Sequence, residues 1–376
     1  MSRILIAGDT LPTEANTILF SEERLEEIFD QSLITFFQNC AISIANLEGP
    51  LTKNTTPIPK SGPNLKAEPS CISTLKRLGI TALSLSNNHI MDFGSSGLYD
   101  TIQTLEAKKI ACFGAGNNLP AAKKPYIFTL DSKKVGVLAC AEHEFTIAGD
   151  HLPGVNPFDP LETLDDIAAL KEQTDYVIVL YHGGKEYYRY PAPYLQKRCR
   201  KMVDKGANLI LCQHSHCVGS MEVYKASTIL YGQGNFIFSR GGNEFCNYGL
   251  LVEIDLKKEE ILFHPVMQTK CGGRLADAKE KKTILNDFYM RSEQIKEAGF
   301  IEKEYQKFAH KMLPVYDRAS LGLFFKIVKL HPKLYRLYFR RKDRLKMLNT
   351  LRCEAHWDLY REGLLDWLKI ENHANP

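Results

Sequence analysis

Residues 82–94 read ALSLSNNHIMDFG. Residues 82–85 form a short apolar run suited to a buried strand, and directly behind it stand Asn87, Asn88, His89 and Asp92, which a strand interior has no use for. In open α/β sheets ligands gather outside the carboxyl ends of the strands, because loops there aim side chains into one crevice. The same texture recurs at residues 4–7, 41–45, 135–140, 176–181 and 209–212, with amphipathic stretches at 22–38, 70–78, 98–108 and 161–172 between them. That alternation predicts an α/β fold with a mostly buried sheet. From Met221 onward, residues 221–224, 228–231, 249–255 and 261–268 read as β-hairpins, which predicts a second, antiparallel sheet region.

The chain has 376 residues, enough for one large α/β domain with an appendage or for two domains. Its texture changes near residue 275, so a main domain over 1–275 and a helical, basic extension over 276–376 are expected. A formal charge of +4 argues against a general nucleic-acid binder. Ten cysteines are scattered without a CxxC pair, which suggests neither a zinc ribbon nor a disulfide framework. Reduced thiols, an N-terminus (residues 1–9) that already reads as a buried strand without a signal-peptide stretch, and the lack of eighteen consecutive apolar residues lead to an expected cytoplasmic protein. Residues 50–69, with five prolines, form a long loop that either borders a site or is a plain surface excursion. Between 319 and 352, Lys326, Lys329, Lys333, Arg336, Arg340, Arg341, Lys342, Arg344 and Lys346 are interleaved with aromatic and aliphatic residues, and Pro332 divides the stretch. Two readings stand: a peripheral helix attracted to anionic lipid, or a helical cap with a solvated basic face.

Polar residues follow strand after strand: Gly8-Asp9, Asn46-Leu47-Glu48, Asn87-Asn88-His89, His182-Gly183-Gly184 and Gln213-His214-Ser215-His216. Each group alone has a bland reading, since Asp9, Asn88 and Asp92 could cap helices or hold turns. Together they supply carboxylate, amide and imidazole, a mixture suited to Mn, Fe or Zn. His214 and His216 are expected to project the same way from an extended segment. Two divalent ions bridged by a carboxylate would activate water and neutralise charge on a phosphoryl oxygen.

At this point the sequence resembles the bacterial capsule-synthesis CapA family, whose members act with poly-γ-glutamate or capsule assembly systems and have a calcineurin-like metallophosphoesterase fold. The stretches that carry the resemblance are Gly8-Asp9, NLEGPLT (46–52), SNNHIMDFGSSGL (86–98), FGAG (113–116), HGGKEYYRYPAPYLQ (182–196) and HSHCVGSMEVYKASTILYGQGNFIFS (214–239). The resemblance implies a four-layer α/β/β/α sandwich with a helical C-terminal extension. It implies two divalent metals lined by Asp9, Glu48, Asn88, His182, His214 and His216, with Glu48 as the bridging acid and His89 as general acid. Glu186, Tyr187, Glu222 and Asn235 match motif positions, with Glu186 and Tyr187 orienting His182, while Asn87 and Asp92 shape the turn and cap the next helix. Phosphoesterases carry a His two residues after the first Asp, and here that residue is Leu11. The implied function is a metal-dependent hydrolase or accessory factor in capsule, poly-γ-glutamate or exopolysaccharide synthesis, acting on a phosphorylated or polymeric substrate beside polymer-synthesis or export proteins. The alternatives are an amide hydrolase acting on a glutamate polymer and a non-catalytic scaffold.

Overall fold

The first strand, β1 (Arg3–Thr10), is buried on both faces from Ile4 onward, as a strand between two covered layers must be. The computed structural model that contains it describes residues 3–238, 244–321 and 340–352, together with 356, 360, 363 and 364. After β1 come β2 (Ile42–Leu47), β3 (Ala82–Ser84), β4 (Ala111–Phe113), β5 (Ala115–Gly116), β6 (Tyr126–Leu130), β7 (Lys133–Ala141) and β8 (Gly154–Val155). The second half supplies β9 (Tyr176–His182), β10 (Leu209–Gln213), β11 (Met221–Tyr224), β12 (Ser227–Leu230), β13 (Asn235–Ile237), β14 (Tyr248–Asp255), β15 (Glu260–Gln268) and β16 (Gly273–Leu275).

These strands make two mixed sheets, ordered β16-β15-β14-β1-β2-β3-β4 and β11-β12-β10-β9-β7-β6, and a short β5-β8 ribbon. Ile6, Ile44 and Ala82 of the first sheet share one core with Val137, Ile178, Leu180 and Leu211 of the second. Helices α1 (Thr17–Ser21), α2 (Leu25–Ile28), α3 (Gln31–Gln38), α4 (Ile72–Leu78) and α5 (Gly94–Ala107) accompany the first sheet. Beyond the short α6 (Leu119–Ala122), α7 (Glu162–Glu172) and α8 (Pro193–Asp204) pack on β9 and β10 of the second. The arrangement is the four-layer α/β/β/α sandwich.

Two local expectations change. The hairpins after Met221 do not build a separate antiparallel sheet: β12 lies parallel to β10, and β14 pairs antiparallel with β1 through Ile4 opposite Ile254. Each hairpin satisfies the unpaired backbone edge of an existing sheet. The stretch 22–38 is not one helix either, because Phe29 is extended and the Asp30 side chain accepts from Leu33 N, which starts α3 as a new helix.

The chain divides into two compact units, Met1–Glu302 and Lys303–Pro376. Helix α9 (Ala278–Gln294) packs on β11 and β15 and sends Ile284 and Phe288 into the core, so the first unit runs past residue 275. Helices α10 (Phe300–Leu321) and α11 (Arg341–Arg352) follow. Most of the basic stretch, residues 322–339 with Pro332, lies outside the described residues. Among the described residues no helix is long and apolar enough to cross a membrane.

Candidate metal centre

Strand register brings the polar residues to one level. Asp9 lies opposite Asn46 on β2 and Asn235 on β13, and His182 at the end of β9 lies opposite Gln213 at the end of β10. The β1–β2 register shifts between Ile6 and Asp9, an irregularity that re-aims the strand end. Gly8 sits there because a Cβ would stand 2.0 Å from the Gly234 carbonyl oxygen.

Two groups of ligand-type atoms result: Glu48 with His182 and His214, and Asp9 with Glu48 and His216, each within 4.8 Å of one another and all buried. Glu48 belongs to both. Its Oε1 is 3.8 Å from His182 Nε2 and 3.7 Å from His216 Nε2, longer than hydrogen bonds. Two ligands each about 2.1 Å from one ion lie at most about 4.2 Å apart, so these separations suit atoms that share a cation. The buried His214 Nδ1 and His216 Nε2 accept or donate no hydrogen bond among the described residues. Asn88 Oδ1 stands 3.1 Å from His182 Nε2, which adds an amide oxygen to the first group. The donor set of buried carboxylates, imidazoles and an amide thus fits a divalent metal ion.

The electrostatics agree. Burial by itself pushes the Asp9 carboxyl up, but the hydrogen bond to His216, the nearby His182 and the Asn46 amide outweigh it and hold Asp9 well below the usual carboxylate range. Burial first and His214 second push His182 well below the ordinary histidine range. His214 is lowered by burial first and by His216 second. Neutral imidazole is the form that ligates a metal.

His214 and His216 meet by a route other than the expected one. The strand ends at Gln213, and both histidines take left-handed backbone, with φ of 78° and 54°. Such φ values in non-glycine residues cost energy and persist where the surroundings over-determine them. The turn, not strand alternation, brings the two rings to 6.1 Å. His214 N donates to Asp9 Oδ2 at 3.1 Å, and Asn235 Oδ1 lies 2.9 Å from His216 Nδ1, which ties this turn to β1 and β13.

His89 and Asp92 lie beside the centre. His89 Nδ1 is 2.7 Å from Asp92 Oδ2, and Asn87 Oδ1 accepts from the His89 and Ile90 amides, so Asn87 shapes the turn as expected. Asp92 does not cap α5: Phe93 occupies the N-cap position without a side-chain bond. The Asp92 carboxylate is taken instead by His89, by Leu65 N at 2.6 Å and by the buried Lys60 ammonium. Lys60 comes from the proline-rich loop, which therefore borders the site. The Tyr187 ring lies 6.2 Å from that of His216, and Glu186 acts on His214, whereas Asn46 and Asn88 hold His182. Glu222 is drawn away from the centre into bonds with Arg200, Gln196 and Tyr231.

Sequence reading missed three residues. Asn46 Nδ2 reaches both Asp9 Oδ1 at 2.8 Å and His182 Nδ1 at 3.3 Å, and it stands in a quoted motif next to the more conspicuous Glu48. Lys60 stood in the long loop without a pattern to single it out. Glu144, which accepts from Asn88 Nδ2 at 2.7 Å, follows β7, and the rule of inspecting strand ends would have found it there.

Residues 3–240 match the family described as bacterial capsule synthesis protein PGA_cap. The chain belongs to this family. The match takes in every residue of the centre, from Asp9 to Asn235, which stand at the strand ends of the sandwich or in the loops beside them. Among curated relatives, a Bacillus subtilis (strain 168) "PGA biosynthesis protein CapA" is 33% identical over 256 residues, covering 64% of this chain and 66% of the relative. A Bacillus anthracis "Capsule biosynthesis protein CapA" is 32% identical over 184 residues, covering 47% of this chain and 45% of the relative. The chain thus spans between about half and just under two thirds of the length of these family members. A solved structure of a hypothetical protein from Thermus thermophilus aligns with a TM-score of 0.47 and 16% identity, over 71% of this chain and 100% of that one.

Proposed function

We propose that the chain is a metal-dependent hydrolase of the phosphoesterase type, serving capsule or poly-γ-glutamate assembly. One observation carries the reading: Glu48 is common to two buried ligand groups, the arrangement a bridging carboxylate needs. Asp9, Glu48 and His216 would hold one ion, and Glu48, Asn88, His182 and His214 the other. Divalent ions bound there, with Mn, Fe or Zn suited to these ligands, supply Lewis acidity toward a phosphoryl oxygen and lower the pKa of water.

The chain's own residues do the rest. Asp92 Oδ2 takes the Nδ1 side of His89, so a proton passed to a leaving oxygen comes from His89 Nε2. The Asn46 amide holds Asp9 and His182 in fixed relation. The Lys60 ammonium balances the buried Asp92 charge. The Bacillus relatives, named for PGA and capsule biosynthesis, support a role beside polymer-synthesis proteins.

A scaffold reading has one observation in its favour: buried Leu11 stands where phosphoesterases carry an imidazole, so the Asp9 group has a single histidine. Assays with p-nitrophenyl phosphate and bis-p-nitrophenyl phosphate in added Mn separate the two. Turnover by the wild type and its loss in Glu48→Gln are expected of a hydrolase. A metal-free, inert wild type that still captures polymer-synthesis proteins would make the chain a scaffold.

A further inference from the structure

Asn88 can serve a cation only through its oxygen, since an amide nitrogen carries protons and no available lone pair. The two ends of a carboxamide have nearly the same shape, so something must decide which one faces the centre. Glu144 meets that need. It comes from the segment behind β7, in the second sheet, whereas Asn88 follows β3 in the first. Its Oε2 accepts from Asn88 Nδ2 at 2.7 Å, while Asn88 Oδ1 stands 3.1 Å from His182 Nε2 on the other side.

A carboxylate only accepts hydrogen bonds, so Glu144 can take the N–H end and no other. The segment is itself pinned to the Asn88 loop, because Thr146 Oγ1 donates to the Asn87 carbonyl at 3.1 Å and Thr146 N donates to the Glu144 carbonyl at 2.6 Å. Glu144 is also near enough for its charge to act on His214.

We propose that Glu144 is a positioning residue that turns the Asn88 oxygen toward the ion held with Glu48, His182 and His214, a role that rests on the divalent-metal reading above. Partners that orient metal ligands in this way typically account for about 10–100-fold in metal affinity. Glu144 is exposed, so its replacement leaves the core intact.

Calorimetric titration of the metal-free full chain with Mn tests the role. Glu144→Ala weakens binding of the ion held with Glu48, His182 and His214 by about 10–100-fold, and Glu144→Gln, which can pair with either end of the amide, falls between it and the wild type. The second arm places Glu144→Ala in an Asn88→Asp background. Both ends of an aspartate are ligand oxygens, so orientation no longer matters there and the alanine substitution costs nothing further. Wild-type affinity in Glu144→Ala, or an equal loss in the Asp background, overturns the orienting role. A wild type that takes up no Mn removes the metal reading and this role with it.

Discussion

Glu48 and Glu222 are both nearly inaccessible, at 0% and 8% exposure, and both stand in motifs that sequence reading assigns to the site. Around Glu222 the neighbours are donors: Arg200 Nε and Nη2 at 2.9 Å, the Tyr231 hydroxyl at 2.7 Å and Gln196 Nε2 at 3.2 Å. Around Glu48 stand His182, His214, His216 and Asp9, groups that seek a cation as the carboxylate itself does. Burial is nearly complete in both places, and the partners differ. A buried acid surrounded by donors stabilises the fold, whereas one surrounded by other Lewis bases is arranged to hold a cation.

Substitutions can break that contrast, and the largest effect belongs to Glu48. Glu48→Gln removes the negative charge and one oxygen of the residue common to both groups, leaving an amide oxygen too weak a donor to bridge two cations, and is expected to abolish divalent-metal binding, as read by elemental analysis of the purified protein. Glu222→Gln is expected to leave metal content unchanged and to lower unfolding free energy by about 2 kcal/mol in urea titrations, because Arg200 and Tyr231 lose a charged acceptor. Altered metal content in Glu222→Gln would mean that the two acids were wrongly separated.

Within the centre the groups are unequal, two histidines and an amide against one histidine. Leu11→His restores an imidazole to the poorer side and is expected to tighten the weaker ion by about tenfold, worth about 1.4 kcal/mol, in a Mn titration.

The smallest effect extends the contrast to a partly exposed acid. Glu280, in the capping box of α9, is held down to about 2 by its bonds to Arg274 first and to the Asp277 amide second. Its folded form takes a proton less readily than the unfolded chain, whose glutamate titrates near 4.5. Its contribution to stability is therefore full above about pH 4.5 and is lost as pH falls toward 2. Partial exposure screens the charge, so Glu280→Gln is expected to flatten only slightly the fall in melting temperature between about pH 5 and pH 3.

Much of the fold was legible because its strands are buried on both faces and read as unbroken apolar runs, from Ile4 to Ala7 through Leu209 to Cys212. Asp9, Glu48, Asn88, His182, His214 and His216 stand out in the sequence because each follows such a run, and the fold brings them together. What escaped depends on distance along the chain. Asp92 resembles a helix cap until Lys60, thirty-two residues earlier, takes its carboxylate. Glu144 has no visible role until the second sheet packs on the first. The left-handed turn at His214 and His216 arises from bonds to Asp9 and Asn235, which no local pattern reports.

The most direct test of the account is the number of Mn ions bound by the metal-free wild-type chain and by Glu48→Gln, counted by calorimetry and elemental analysis. The account predicts two ions per wild-type chain, the tighter held by the Asn88, His182 and His214 group, and none in Glu48→Gln. A wild type that binds no metal, or a Glu48→Gln protein that binds as the wild type does, would contradict it.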